Sequence, residues 1–133
     1  HSIISIEPFT FCDCELLKEI SIPPSVVNIK TSAFCNCKSL VEVIIPSSVK
    51  EIGECVFGSC FSLKNISIPD SVVSIGEFAF SRCSSLTQIT IPLSVTDIGM
   101  LIFTGCSSLT QVKIPSKLAT KKLGISSEIV TEI

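Results

Sequence analysis

Apolar residues in this chain return to the same places every 23 positions. The prolines mark the step most openly, as Pro23, Pro46, Pro69, Pro92 and Pro115. A proline on a fixed period is structural punctuation. Ile22, Ile45, Ile68, Ile91 and Ile114 precede them, and Ser25, Ser48, Ser71 and Ser94 stand two residues after the first four. Val26, Val49, Val72 and Val95 come next, with Ile3 in the matching place one unit earlier. Then follow Ile6, Ile29, Ile52, Ile75 and Ile98; Phe11, Phe34, Phe57, Phe80 and Phe103; Cys14, Cys37, Cys60, Cys83 and Cys106. Leu17, Leu40, Leu63, Leu86 and Leu109 precede Ile20, Val43, Ile66, Ile89 and Val112, which close the cycle. The unit reads I-P-x-S-V-x-x-I-G-x-x-x-F-x-x-C-x-x-L-x-x-I-x. Its glycine is present only at Gly53, Gly76 and Gly99; Glu7 and Lys30 take the place in the first two units.

This pattern predicts two strands and a turn in every unit. From Leu86 to Ile91, a two-residue period puts Ile89 and Ile91 on one face and Gln88 and Thr90 on the other. Pro92 ends that strand because it cannot donate to a ladder. A second short stretch, Val95 to Ile98, turns both named residues inward, and Gly99 is expected to permit unusual backbone angles. Phe103 and Cys106, three apart, predict a helical or 3-10 turn. One unit cannot bury its own apolar residues, whereas stacked units pack each position on its copy in the next coil. The expected fold is a repeat solenoid, mostly β with little helix. Parallel strands about 4.8 Å apart form a sheet some 20–25 Å across on one side, with short strands and helical or 3-10 turns on the other.

The domain reading is a single unit over 1–133. Residues 1–21 form a truncated first repeat, with its pattern starting at Ser2, and 22–113 hold four full repeats. Residues 114–133 form a degenerate capping repeat, where Lys121, Ser126 and Glu132 replace Ile, Phe and Leu. The first coil is expected to expose a raw core edge.

The run I-P-x-S-V-x-x-I-G-x-x-x-F-x-x-C-x-x-L-x-x-I-x-I-P resembles the BspA-like branch of the leucine-rich repeat family. It is clearest over 68–113, as in Ile68-Pro69-Asp70-Ser71-Val72 and Phe80-Ser81-Arg82-Cys83-Ser84-Ser85-Leu86. The resemblance implies a curved solenoid with a parallel sheet on its concave side. It also implies a role in protein–protein contact: adhesion to host or matrix proteins when surface-exposed, scaffolding or regulation when intracellular. It implies no shared active site.

Composition narrows the chemistry. The chain is 46% hydrophobic and 17% charged, with net charge −2 and a pI near 5.3. That balance argues against nucleic acid, which needs a basic face. No apolar run approaches the roughly 20 residues of a spanning helix, so membrane insertion is not expected. No signal peptide is visible, and His1, in place of Met, reads as the cut end of a longer protein or a foreign residue. His1 is also the lone histidine, which leaves a nucleophilic triad without its usual base. With no phosphate loop and no Trp or Tyr, the chain is expected not to be an enzyme and to need no cofactor.

Eight cysteines remain. Five belong to the periodic ladder, where a small, weakly polar, buried residue suits the fold. Parallel side-chain vectors are poor for disulfides. Free thiols suit a reducing compartment, and a cytoplasmic location is expected; a cell-surface location is the alternative if a targeting segment has been lost. Cys12, Cys14, Cys35 and Cys37 supply the count of a four-thiolate zinc site. The competing reading gives Cys14 and Cys37 to the ladder and Cys12 and Cys35 to a neighbouring apolar spot. The sequon Asn65-Ile66-Ser67 would lie on the outward face of a strand.

Outward strand residues define the expected partner-binding face: Glu19 and Ser21, Glu42 and Ile44, Asn65 and Ser67, Gln88 and Thr90, Gln111 and Lys113. It runs from acidic through neutral polar to basic, a gradient able to orient a partner. Ile4, Val27 and Val73, which follow inward residues, and Phe61 are expected to be exposed apolar groups serving self-association as a homo-oligomer. The leading expectation is a module that scaffolds or regulates another protein, with a signalling enzyme such as a phosphatase as an analogy. The alternative is a surface adhesin fragment.

Overall fold

The computed structural model describes residues 3–133, so the readings placed on His1 and Ser2 lie outside it. In chain order the strands are β1 (Ser5–Ile6), β2 (Glu19–Ser21), β3 (Asn28–Ile29), β4 (Glu42–Ile44), β5 (Glu51–Ile52), β6 (Asn65–Ile66), β7 (Ser74–Ile75), β8 (Gln88–Thr90), β9 (Asp97–Ile98), β10 (Gln111–Ile114) and β11 (Val130–Glu132). Each 23-residue unit makes one coil of a solenoid, and the strands pair in parallel with their copies one coil away, except between β6 and β8. The odd-numbered strands from β1 to β9 form one unbroken five-stranded sheet, called the spine here. The even-numbered strands, with β11, line the other strand-bearing side, called the face.

The face departs from the single sheet that the repeat predicts. It divides into β2-β4-β6 and β8-β10-β11. Among the described residues no strand pairing joins β6 to β8, although they run side by side. Ile66, beneath this seam, is only half-buried, as is its copy Ile20 in the first coil, while Val43, Ile89 and Val112 are buried.

The core is a set of ladders running through all coils. Phe11, Phe34, Phe57, Phe80 and Phe103 stack with ring centroids 5.2 to 6.0 Å apart. The four inner rings are wholly buried. Beside them the ladder thiols donate to phenylalanine carbonyls one coil back: Cys37 to Phe11 O (3.1 Å), Cys60 to Phe34 O (3.3 Å), Cys83 to Phe57 O (3.2 Å) and Cys106 to Phe80 O (3.0 Å). A residue small enough for the ladder and able to donate weakly is what this slot requires. Ile3, expected inward, is 57% exposed while its copy Val26 is fully buried. The first described coil has a described neighbour on one side only, which leaves Ile3 open to solvent.

The third side is built from turns, and here the expected helical or 3-10 turn gives way to something else. The bonds Ala33 N–H to Lys30 O and Cys37 N–H to Phe34 O each close a four-residue turn. The third residue of each, Ser32 and Asn36, is left-handed (φ 55° and 61°). That is the pattern of a type II turn. It repeats at Phe9, Cys55, Phe78 and Leu101 in the first turn and at Asp13, Ser59, Arg82 and Gly105 in the second. Between the turns the N–H groups point along the solenoid, as in Phe34 to Val56 O (3.0 Å) and Phe57 to Ala79 O (2.8 Å). A continuous helix would spend those donors within its own coil.

The repeated glycine also plays another part than expected. Gly53, Gly76 and Gly99 have no left-handed φ. They are needed because the coils approach there: a Cβ on Gly76 would sit 2.6 Å from Glu54 N. In the first two coils, Glu7 and Lys30 occupy the position and form an ion pair at 2.9 Å.

At the C-terminal end, 3-10 turns at Ser116–Leu118 and Ser127–Ile129 and strand β11 cover the last regular coil. Leu118 and Leu123 are buried. The carbonyls of Lys122 and Leu123 accept from Leu101 and Phe103, continuing the ladder after the motif has faded.

Candidate functional site

Strand pleating fixes the face. Val43 and Ile89 turn into the core, so their neighbours on each strand must turn out. Ladder register then aligns the outward residues into two rows. Glu19 lies opposite Glu42, Glu42 opposite Asn65, and Gln88 opposite Gln111. Ser21 lies opposite Ile44, and Thr90 opposite Lys113. All ten residues expected on this face are exposed, although Ser67 falls just beyond the end of β6.

A broad, open depression runs along this face from Glu42 to Lys113. Asp70, Leu93 and Ile133 also line it, and the outward strand pattern did not point to them. Leu93 is 67% exposed and follows Pro92, where the other units carry Pro24, Ser47, Asp70 and Ser116. That lone apolar substitution in a polar column was a usable signal. Ile133 joins the rim because β11 folds back beside β10, which no repeat pattern could foretell.

The electrostatics follow from what is left unpaired. Among the described residues the ion pairs are Lys30–Glu7 (2.9 Å) and Lys38–Glu15 (3.4 Å), both away from the face. Within that same set, Glu19 and Glu42 stand side by side without a cation, and Lys113 stands at the other end without a carboxylate. Like charges directly opposite on a sheet are destabilising, so the Glu19–Glu42 pair does not contribute to the stability of the fold.

The remaining candidates separate. Ile4, Val27 and Val73 share one row beside the spine, tied by Val27 N–H to Ile4 O (2.7 Å), with Lys50 between Val27 and Val73. Ile4 and Val73 are exposed and Val27 is half-buried. Phe61 is exposed too, but on the strip between the thiol ladder and the face, so it does not join that row. Asn65 of the sequon is exposed on the face.

Of the four cysteines weighed as zinc ligands, Cys37 is buried and bonded to Phe11 O, while Cys12 and Cys35 sit half-buried on the turn side. Among the described residues no group of three or more His, Cys, Asp or Glu side chains is placed to hold a metal ion. Burial pushes the Cys37 and Cys106 thiols from the ordinary 9.0 up to about 11, and moves Cys60 and Cys83 upward as well. All described cysteines are free. Among the described residues no helix is long and apolar enough to cross a membrane.

Comparison with known proteins now decides the family. The profile of the BspA type leucine rich repeat region matches residues 4–124 in six copies. The chain belongs to that family. Three solved leucine-rich repeat structures resemble it, each 34% identical in sequence. A leucine rich repeat protein of T. pallidum superimposes with a TM-score of 0.82 over 84% of this chain and 52% of its own. A leucine-rich repeat protein from Bacteroides ovatus gives 0.75 over 85% and 35%. A leucine rich cell surface protein from Faecalibacterium prausnitzii gives 0.83 over 95% and 34%. The chain therefore spans between a third and about half of the length of these relatives. Comparison with curated proteins finds no match. BspA-type leucine-rich repeats are typically non-enzymatic binding modules.

Proposed function

We propose that this chain is a protein-binding module whose binding surface is the face formed by β2, β4, β6, β8 and β10. The observation that carries this reading is the alignment of ten exposed side chains in two rows, eight of them lining one depression; among the described residues, the carboxylates at one end and the lysine at the other have no ion-pair partner. A ladder at fixed spacing presents such groups without the entropy cost of ordering them on binding. In this reading the module holds another protein in place or regulates it, by recruitment or by covering part of its surface. The phosphatase analogy gains no residue-level support.

Location divides two forms of this function. The free thiols fit a reducing compartment and a scaffold or regulator inside the cell. The likeness to a protein named as a leucine rich cell surface protein supports the second form, an adhesin that binds host or matrix proteins.

The test is affinity capture from the source cell, comparing the native sequence with the Glu19→Lys/Glu42→Lys double variant. A partner held by the native protein and lost by the variant is the expected result. A partner held equally by both would move the binding surface off the face. Screening host matrix proteins with the same pair tests the adhesin form.

A further inference from the structure

We infer that the partner's contacting segment is an extended peptide lying along the solenoid axis, across the strands, with basic residues over coils one and two and an acidic residue over coil five. This deepens the reading of the face as the binding surface and rests on it. Three observations carry it.

The first is charge. Glu19 and Glu42 are ladder partners, so their carboxylates project from backbone positions about 4.8 Å apart. Among the described residues neither has a cation beside it. A lysine or arginine from a partner would relieve that repulsion. Lys113, at the far end of the second row, offers the complementary contact to a carboxylate. An acidic start excludes a polyphosphate chain as the occupant of the whole face.

The second is the middle. Asn65, Gln88 and Thr90 are exposed there, and each carries both a donor and an acceptor. The seam between β6 and β8 leaves main-chain groups of both strands outside any ladder. An extended peptide presents alternating N–H and C=O groups, which the amides of Asn65 and Gln88 and the hydroxyl of Thr90 are able to meet. Ile44 and Leu93, 55% and 67% exposed, offer apolar contact to a side chain in between.

The third is length. From Glu19 to the level of Lys113 is four strand steps, about 19 Å. At roughly 3.3 Å per residue, an extended peptide covers that span in about six residues. A peptide with its charges closer together could satisfy only one end at a time.

The test is selection from a random twelve-residue peptide display library on the whole chain, the Glu19→Lys/Glu42→Lys variant and a Thr90→Arg variant that blocks the centre. Enrichment of peptides with Lys or Arg at one end and Asp or Glu about six residues away is expected. Recovery of those peptides on either variant should fall about tenfold or more. Enriched peptides without that charge spacing, lost on Thr90→Arg, would overturn the peptide polarity and leave the face as the binding surface. Enriched peptides indifferent to both variants would overturn both readings. No enrichment over an unrelated protein would overturn the peptide proposal, with the face still judged by the capture experiment. Circular dichroism of each variant, matching the native spectrum, confirms that the comparisons are between folded proteins.

Discussion

The spine and the face are built from the same repeat, yet they end in different states. The spine pairs five strands without interruption, β1 through β9. It keeps Ile6, Ile29, Ile52, Ile75 and Ile98 buried beneath it. The face breaks between β6 and β8 and, among the described residues, carries charges without an ion-pair partner at both ends. One side concentrates satisfied hydrogen bonds and apolar burial, which secure the fold. The other leaves donors, acceptors and charges unspent, and these are what the proposed binding surface would use. The difference teaches that a repeat sets the register on both sides, while the residues between the ladder positions decide what each side does.

The largest test asks whether stability resides in the ladders. Phe57→Ala, in the middle of the stacked rings, should destabilise the protein by about 3–5 kcal/mol. Phe61→Ala, four residues away on the surface, should cost no more than about 0.5 kcal/mol. Denaturant melts of the two variants measure both, and comparable losses would refute the division between core and surface.

Next in size is the spine's close approach. Gly76→Ala places a methyl against the backbone of Glu54, 2.6 Å from its nitrogen unless the coils move apart. Such overpacking should cost about 1–3 kcal/mol. Partner or peptide binding to the face should persist at temperatures where the variant remains folded, since the face strands do not pass through that contact.

A smaller effect belongs to the corner that joins face to spine. Ser94 donates to Val72 O at 2.7 Å, whereas Ser71, in the same slot one coil earlier, has no hydrogen-bond partner among the described residues. Ser94→Ala should cost about 1 kcal/mol and Ser71→Ala almost nothing. Thermal melts of the pair distinguish them, and equal losses would mean that the corner hydroxyls are equivalent.

The smallest free energy concerns the seam. Amide hydrogens of β8 that face β6 should exchange with solvent faster than the ladder-bonded amides of β7 and β9. Hydrogen exchange read by NMR checks this. Equal protection would close the seam and unite the face into one sheet.

Much of this was legible in the sequence because a repeat is an averaging device. Five copies of Phe and Cys identify ladder positions where a single copy would be ambiguous, and pleating then assigns Glu42 or Gln88 outward. Features set by a single coil were not legible. The break between β6 and β8 has no counterpart in the motif, since Ile66 and Ile89 occupy the same slot. The left-handed turns leave little trace in the residue pattern, because few of the residues that form them, Asn36 and Gly105 among them, favour that region. Phe9, Phe78 and Leu101 adopt it only because stacked neighbours hold them there. Gly76 was legible as a glycine but not in its purpose, because close approach between coils is a property of the stack and not of the chain.

The thiol ladder has a consequence for how this protein comes apart. Cys37, Cys60, Cys83 and Cys106 lie in four successive coils, and burial holds their thiols protonated. A thiol freed by opening ionises near the ordinary 9.0, so the stabilisation that depends on keeping it buried is complete below that pH and drains away as pH rises beyond it. Only an exposed thiolate reacts with an alkylating reagent. Each coil therefore carries its own date stamp, and the order in which the four sulfurs become labelled records the order in which the solenoid frays.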